Sequence, residues 1–267
     1  MPPRIVVIIQ ARLGSTRLPG KTLAEIAGSP MLAHVVERAV AIRGVTEAIL
    51  ATTTNPEDKA IATFARRAGI RCVRGSEEDV LDRFRFAAGE CRADVIVRVT
   101  ADCPLFDPAV CGLVLGEYLG RQGQIDYVSN VHPPTYPDGL DAEVFSREAL
   151  EAAWREARLP SDREHVSTFI WRHPARFRLA NVSNAEDLSV HRWTVDTEAD
   201  LAFVRAVFDA YAARGQRPAG MRDVLTLLRE HPEIQRLNAG QQRNGGLARS
   251  LAADQVRRVP APEITGP

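Results

Sequence analysis

A chain of 267 residues whose 34 basic and 34 acidic side chains cancel lacks the basic excess on which general nucleic-acid or membrane-surface binding depends. The length suffices for a buried core and fits one large α/β domain or two small ones. No apolar run approaches the ~20 residues that span a bilayer, and the N-terminus leads almost directly into a strand, so the expected location is the cytoplasm.

The first element is the run Ile5-Val6-Val7-Ile8-Ile9, short, β-branched and unbroken, as in a parallel strand buried on both faces. The stretch Gln10 to Thr22, QARLGSTRLPGKT, follows it and carries Arg12, Arg17 and Lys21 among Gly14, Ser15, Thr16 and Gly20. Glycines let the main chain approach an anion, hydroxyls donate to it, and fixed cations neutralise it, so this loop suits a polyphosphate. It is neither of two common phosphate loops. The dinucleotide fingerprint G-x-G-x-x-G is absent, and Gly14 and Gly20 are separated by five residues where the ATPase P-loop requires four.

The match through Ala11, Arg12, Ser15, Arg17, Pro19 and Lys21 resembles the A-R-x-x-S-x-R-x-P-x-K signature of the sugar-activating cytidylyltransferases. That family includes the acylneuraminate and 3-deoxy-manno-octulosonate enzymes, in which this loop wraps the triphosphate of CTP. The resemblance implies that Ala11, Arg12, Gly14, Ser15 and Lys21 bind nucleotide, with Arg12 and Lys21 also acting in catalysis. The resemblance extends over roughly residues 4 to 235, with its motifs in the expected order.

Apolar positions Met31, Leu32, Val35, Val36, Ala39 and Val40 recur at helical spacing, with Ser29 as the expected cap and Pro30 at the first helical position. A second strand over 48–51 ends in Thr52-Thr53-Thr54, and in an open α/β sheet that end faces the ligand crevice, which makes Thr53 a nucleotide candidate. Asn55 to Asp58 caps a helix closed by Gly69, and 70–73 is a third strand. The segment GSEEDVLDRFRF from Gly75 enters a helix with Ser76 as the expected N-cap. It is similar to the G-S-x-x-D-V-L-x-R segment of the branch associated with spore coat polysaccharide biosynthesis. That likeness adds Asp82 and Arg83 as nucleotide-binding candidates.

A fourth strand over 94–100 leads to Ala101-Asp102-Cys103-Pro104. A carboxylate at the end of a central strand is placed to hold a cation, and Mg²⁺ favours one or two carboxylates plus phosphate oxygens. Cys103 has no evident partner as a nucleophile. Like Cys72, Cys91 and Cys111, it belongs to no C-x-x-C pair or dense framework, so reduced core cysteines are expected. Asp107-Pro108 starts a further helix, and 125–128 is another strand.

From 129 to 184 the character shifts, with Pro133, Pro134 and Pro137 and the run TYPDGLDAEVFS. This reads as an insertion or cap, with a hairpin turn at Asp138-Gly139 and a role in acceptor contacts or dimerisation. Tyr136, Asp141 and Glu143 are its acceptor candidates. Arg163 and His165 are two more, at a helix start where Ser161 and Glu164 have capping-box spacing. Further on, Trp193 to Val195 is strand-like, and Thr197 with Asp200 forms a capping box for a long helix. Asp196 falls between them. In the family an Asp at this place completes the metal site, so the resemblance pairs Asp102 with Asp196 as the Mg²⁺ ligands and assigns both a catalytic role. Residues 238–267 lack periodicity and read as a flexible tail.

The expected architecture is therefore a three-layer, Rossmann-like α/β fold of the nucleotide-diphospho-sugar transferase type, with a mainly parallel sheet spanning residues 1–237. The expected activity is Mg²⁺-dependent transfer of CMP from CTP, with release of pyrophosphate. The acceptor implied by the resemblance is an acidic or amino sugar for a surface polysaccharide, or a small phosphonate or phosphorylated acid. No nucleic-acid or membrane partner is expected, and the resemblance suggests a homodimer. The rival readings are a glycosyltransferase consuming a nucleotide sugar and a non-catalytic nucleotide-binding protein.

Overall fold

A computed structural model describes residues 2–217, 220–241, 243 and 245–258. The chain opens with β1 (Ile5–Gln10), a phosphate-loop candidate closed by a 3₁₀ turn (Lys21–Leu23), and the small antiparallel pair β2 (Glu25–Ile26) and β3 (Ser29–Pro30). Alternating helices and strands follow: α1 (Met31–Val40), β4 (Glu47–Thr53), α2 (Lys59–Arg67), β5 (Arg71–Gly75), α3 (Val80–Glu90), β6 (Val95–Thr100), α4 (Pro108–Gly120) and β7 (Tyr127–Ser129). Then come β8 (Glu143–Ser146), α5 (Arg147–Glu156), α6 (Pro160–Glu164), α7 (Thr168–Arg172) and β9 (Leu179–Asn181). Helices α8 (Glu198–Ala212), α9 (Met221–Glu230), α10 (Pro232–Arg236) and α11 (Gly245–Arg258) complete the described chain.

Among the described residues the main sheet has seven strands in the order β5-β4-β1-β6-β8-β7-β9. It is parallel except where β8 runs antiparallel between β6 and β7. Ile5 to Ile9 are all buried because both faces are covered, which is why β1 is uniformly apolar rather than alternating. Val7 and Ile9 pack with Leu32, Val35 and Val114 from α1 and α4, while Val6 and Ile8 meet Leu81, Phe84 and Leu150 from α3 and α5. Each such side chain contributes about 1.5–3 kcal/mol by leaving water, so a register slip in β1 would expose neither face to advantage. A third cluster, with Leu18, Tyr136, Trp193 and Phe208, joins the loop after β1 to α8 and α9.

The chain winds outward from β1 through β4 to β5, then returns across β1 to β6. The loops after β1 and β6 therefore diverge at a topological switch point, where ligands bind in open α/β sheets. Gln10 and Thr100 are paired across that gap.

Several local expectations change. Residues 129–184 are more than a cap: β8 and β9 belong to the main sheet. Pro30, not Ser29, is the N-cap of α1, because Ser29 and Pro30 pair in the small hairpin. Asp79, not Ser76, caps α3 by accepting from Asp82 N at 2.8 Å, and Ser161 caps nothing because its hydroxyl is bonded to Asp254. The Asp138-Gly139 turn makes no hairpin. Instead Gly139 (φ 108°) lies against residues 193–194, where a Cβ would come within 2.8 Å of backbone, so glycine is required by both conformation and space. Trp193 to Val195 forms no strand, and Asp138 bridges Arg192 there. Most plainly, the expected flexible tail contains α11, and Asn238 is buried; positions 242, 244 and 259–267 lie outside the described residues.

Candidate active site

A crevice of about 530 Å³ opens at the carboxyl ends of β1 and β6. Ala11, Arg12, Ser15 and Lys21 line one wall, Asp102 and Asp196 lie between, and Asp141, Glu143 and His165 line the far end.

The loop after β1 is shaped by its own main chain and by one buried acid. Gly20, at φ 76°, is in the left-handed region, which lets the chain turn back so that Gly20 N donates to Leu13 O at 3.1 Å. Leu13 N donates to Asp58 Oδ1 at 2.7 Å, and the other Asp58 oxygen accepts the Thr53 hydroxyl. Thr53 is thus buried and engaged in supporting the loop, outside the crevice lining. Asp58 was readable only as a helix cap; its actual partner is 45 residues upstream.

Turn residues after β6 and the chain before α8 are joined by Val195 N donating to Asp102 O at 2.8 Å. That bond sets Asp102 beside Asp196 despite their separation in sequence. Lys21 Nζ lies between them, donating to Asp102 Oδ2 at 3.1 Å, Asp196 Oδ1 at 2.9 Å and Val195 O at 2.5 Å. Burial disfavours the Lys21 charge, but the two carboxylates outweigh it and raise its pKa. Burial likewise works against Asp102, yet Lys21 and hydrogen bonds from Thr100 and Cys103 pull its carboxyl down to about 2. Both are therefore charged at neutral pH.

Asp196 is fixed from its other side. Its Oδ2 accepts Arg17 at 2.9 Å and Arg192 at 2.8 Å. Arg192, nearly buried, also reaches Asp138 and Asp200, each at 2.9 Å. Asp200 completes the capping box of α8 with Thr197, so the helix start, the arginine and the site carboxylate form one rigid network. Asn238 joins it by donating to Arg192 O at 2.9 Å and Asp200 Oδ1 at 3.1 Å.

At the far end, Arg98 on β6 pairs with Glu143 on β8, which also accepts from Tyr127 at 2.6 Å and from Ser167. Burial opposes the Glu143 charge, but Arg98 and these donors hold its pKa below the usual value. Burial and the neighbouring acids push Asp141 up to about 7 in spite of its ion pair with Arg243. His165 lines this end with Nε2 3.0 Å from Ser250 Oγ, and burial lowers its pKa. Helix α11 forms part of the wall through Leu247, Arg249 and Ser250. Among the described residues Arg249 has no ion-pair partner.

Five candidates fall outside the crevice lining besides Thr53. Gly14 is an exposed residue of the loop, where a Cβ would touch Glu77 at 3.4 Å. Asp82 accepts from Trp154 Nε1 at 2.8 Å and from Arg85. Arg83 is buried beneath the start of α3, donates to Ser76 O at 2.7 Å, and is pushed by burial to about 10. Tyr136 is part of the apolar cluster, offering Arg243 only its carbonyl. Arg163 is turned away to Asp79 and Trp154 O, pinning α6 to α3.

The cytidylyltransferase family model matches residues 6–214. Protein MJ1063 of Methanocaldococcus jannaschii is 34% identical, with 88% of this chain and 95% of that protein covered. The spore coat polysaccharide biosynthesis protein SpsF of Bacillus subtilis is 31% identical, with 86% and 95% covered. A solved cytidylyltransferase from Leptospira borgpetersenii superposes with a TM-score of 0.83 at 28% identity, covering 91% of this chain and all of that one. A crevice at the switch point, floored by two carboxylates and walled by a cationic loop, accompanies these likenesses, and the chain belongs to the cytidylyltransferase family.

Proposed function

We propose that this cytidylyltransferase moves CMP from CTP to an acidic or amino sugar, with Mg²⁺ as its metal, and so supplies an activated sugar for a surface polysaccharide. The observation that carries the reading is the convergence of Asp102 and Asp196 on a single ammonium at the mouth of the phosphate loop. The donor set fits Mg²⁺: two hard carboxylates open to one small volume, with room for phosphate oxygens to complete the shell. Bound there, the ion would neutralise charge at the α-phosphate and acidify the acceptor hydroxyl.

The chain's own residues do the remaining work by position and charge. Arg12, Ser15 and Lys21 line the wall nearest the loop and would hold the triphosphate. An acceptor oxygen attacks the α-phosphorus in line; the bond to the β-phosphate oxygen breaks, and pyrophosphate leaves toward those cations. Arg192 keeps Asp196 oriented. Arg249, a cation at the acceptor end without an ion-pair partner among the described residues, favours an acceptor carrying a negative group. Asp141 and Glu143 provide acceptors for its hydroxyl or amino groups.

The test is calorimetric titration with CTP, UTP, ATP and GTP in Mg²⁺, on the wild type and Lys21→Ala, followed by a pyrophosphate-release screen of sugar acids and amino sugars. Selective CTP binding weakened in the variant, with pyrophosphate formed from an anionic or amino acceptor, is the expected result. Turnover of a nucleotide sugar with release of a nucleoside phosphate would instead assign a glycosyltransferase.

A further inference from the structure

Lys21 has three N–H donors and no acceptor, and all three are engaged: by Asp102 Oδ2, Asp196 Oδ1 and Val195 O. The side chain is nearly buried, with 10% of its surface exposed, so this is a seated ammonium rather than a solvated one. The two oxygens it holds are the ones that converge, and a divalent ion shared by the pair would need them at about 2.0–2.1 Å. Both cations cannot sit there together.

Three cations serve the pair, and they differ in attachment. Arg192 is fixed by Asp138 and Asp200 as well as Asp196. Lys21 and Arg17 belong to the loop that would hold the phosphates, and Arg17 is over a third exposed, reaching Asp196 Oδ2 at 2.9 Å. A triphosphate offers these two side chains a stronger set of anionic oxygens within the same crevice. Charge balance then requires a replacement on the carboxylates.

We propose that Lys21 is a stand-in cation: it occupies the carboxylate pair until nucleotide arrives, so that metal enters only together with the triphosphate. The inference rests on the functional reading above for the identity of the pair as metal ligands. It makes the metal–CTP complex the ligand and leaves the protein with little affinity for free divalent ions. The exchange is one of positions: Nζ leaves two carboxylate oxygens for phosphate oxygens, and the metal takes the oxygens it left.

The test uses Mn²⁺ as the probe, with the free aquo ion counted by electron paramagnetic resonance in titrations of the full chain without nucleotide. The wild type is expected to bind Mn²⁺ weakly. Lys21→Met, which keeps the aliphatic stem and removes the charge, should bind it at least about tenfold more tightly, within the range usual for coupled sites. Adding Asp196→Asn to Lys21→Met should abolish the gain. Lys21→Gln repeats the test in a second background, and thermal melts establish that each variant is folded. Equal Mn²⁺ affinity in wild type and in folded Lys21 variants would overturn the proposal, as would a gain that survives Asp196→Asn. Because no nucleotide is present, this result is separate from the CTP titration, whose failure would remove the functional reading instead.

Discussion

The two ends of the crevice are built by different rules. The end we assign to the nucleotide is one continuous loop, shaped by Gly20 and tied down by Asp58, so its cations arrive together from a few consecutive residues. The end we assign to the acceptor is assembled from β6, β8, α6, α7 and α11, and its contacts join residues as far apart as Asp141 and Arg243. The family match, over residues 6–214, covers the loop and also β6, β8, α6 and α7 of the far end, and leaves out α11. The cations of the first end come from one local motif, whereas the carboxylates that Lys21 meets, Asp102 and Asp196, lie 81 and 175 residues away.

Substitutions at the nucleotide end should act on rate and those at the acceptor end on stability or acceptor use. The largest effect is expected for Asp102→Asn, which removes a carboxylate that faces Lys21 directly. Turnover should fall by more than the ~10²- to 10³-fold typical of losing one charge-stabilising group, and saturating CTP should not restore it. Lys21→Ala should fall within that ~10²- to 10³-fold range. Steady-state pyrophosphate release across a CTP titration checks both; near-normal turnover in either would break the division at its strong end.

The same contrast explains what could be read from sequence. The strand, the loop, Asp102, the α8 capping box and Asp196 are each legible within a few residues, because burial on both faces, anion chemistry and helix capping act locally. The convergence of Asp102 and Asp196 is not local. It depends on the Val195–Asp102 backbone bond, and the family likeness, not the spacing, paired them. Arg163 and Tyr136 illustrate the limit: their residue types suit a binding site, but packing turns one to Asp79 and encloses the other in an apolar cluster. Glycine and glutamine at 240–246 hid α11, since the helix gains its stability from contacts with α6 that no periodicity announces. Asp254 and Ser250, its anchors, look in sequence like ordinary surface residues.

Those anchors offer a smaller but more discriminating effect. Asp254 is buried and bonded to the Ser161 hydroxyl, with Ser161 N at 3.4 Å. Asp254→Ala leaves those donors unpaired, at a cost of about 1–3 kcal/mol. Hydrogen exchange should show α11 opening more readily, while calorimetry shows CTP affinity within about twofold of wild type, as expected for substitutions that share no partners. Loss of CTP binding together with α11 would show the two ends to be one unit.

The smallest effect is one of pH, and its sign follows from Asp141. Burial raises its folded pKa from 3.8 to about 7, with Asp138 and Glu143 adding to the shift and Arg243 opposing it. Between those values the folded chain binds more protons at this site than the unfolded chain, so stability falls as pH rises through the window and levels off above about 7. Asp141→Asn removes the titration and should flatten the melting temperature between pH 5 and 8, although it also gives up the Arg243 ion pair. The same proton bears on acceptor choice. Below pH 7 the acceptor end carries one negative charge fewer, so the KM for an anionic acceptor should rise as pH climbs through 7 in the wild type and stay level in Asp141→Asn. The KM for CTP, set at the other end, should respond equally in both proteins; a CTP profile that changed with Asp141→Asn would place this carboxyl in the nucleotide half instead.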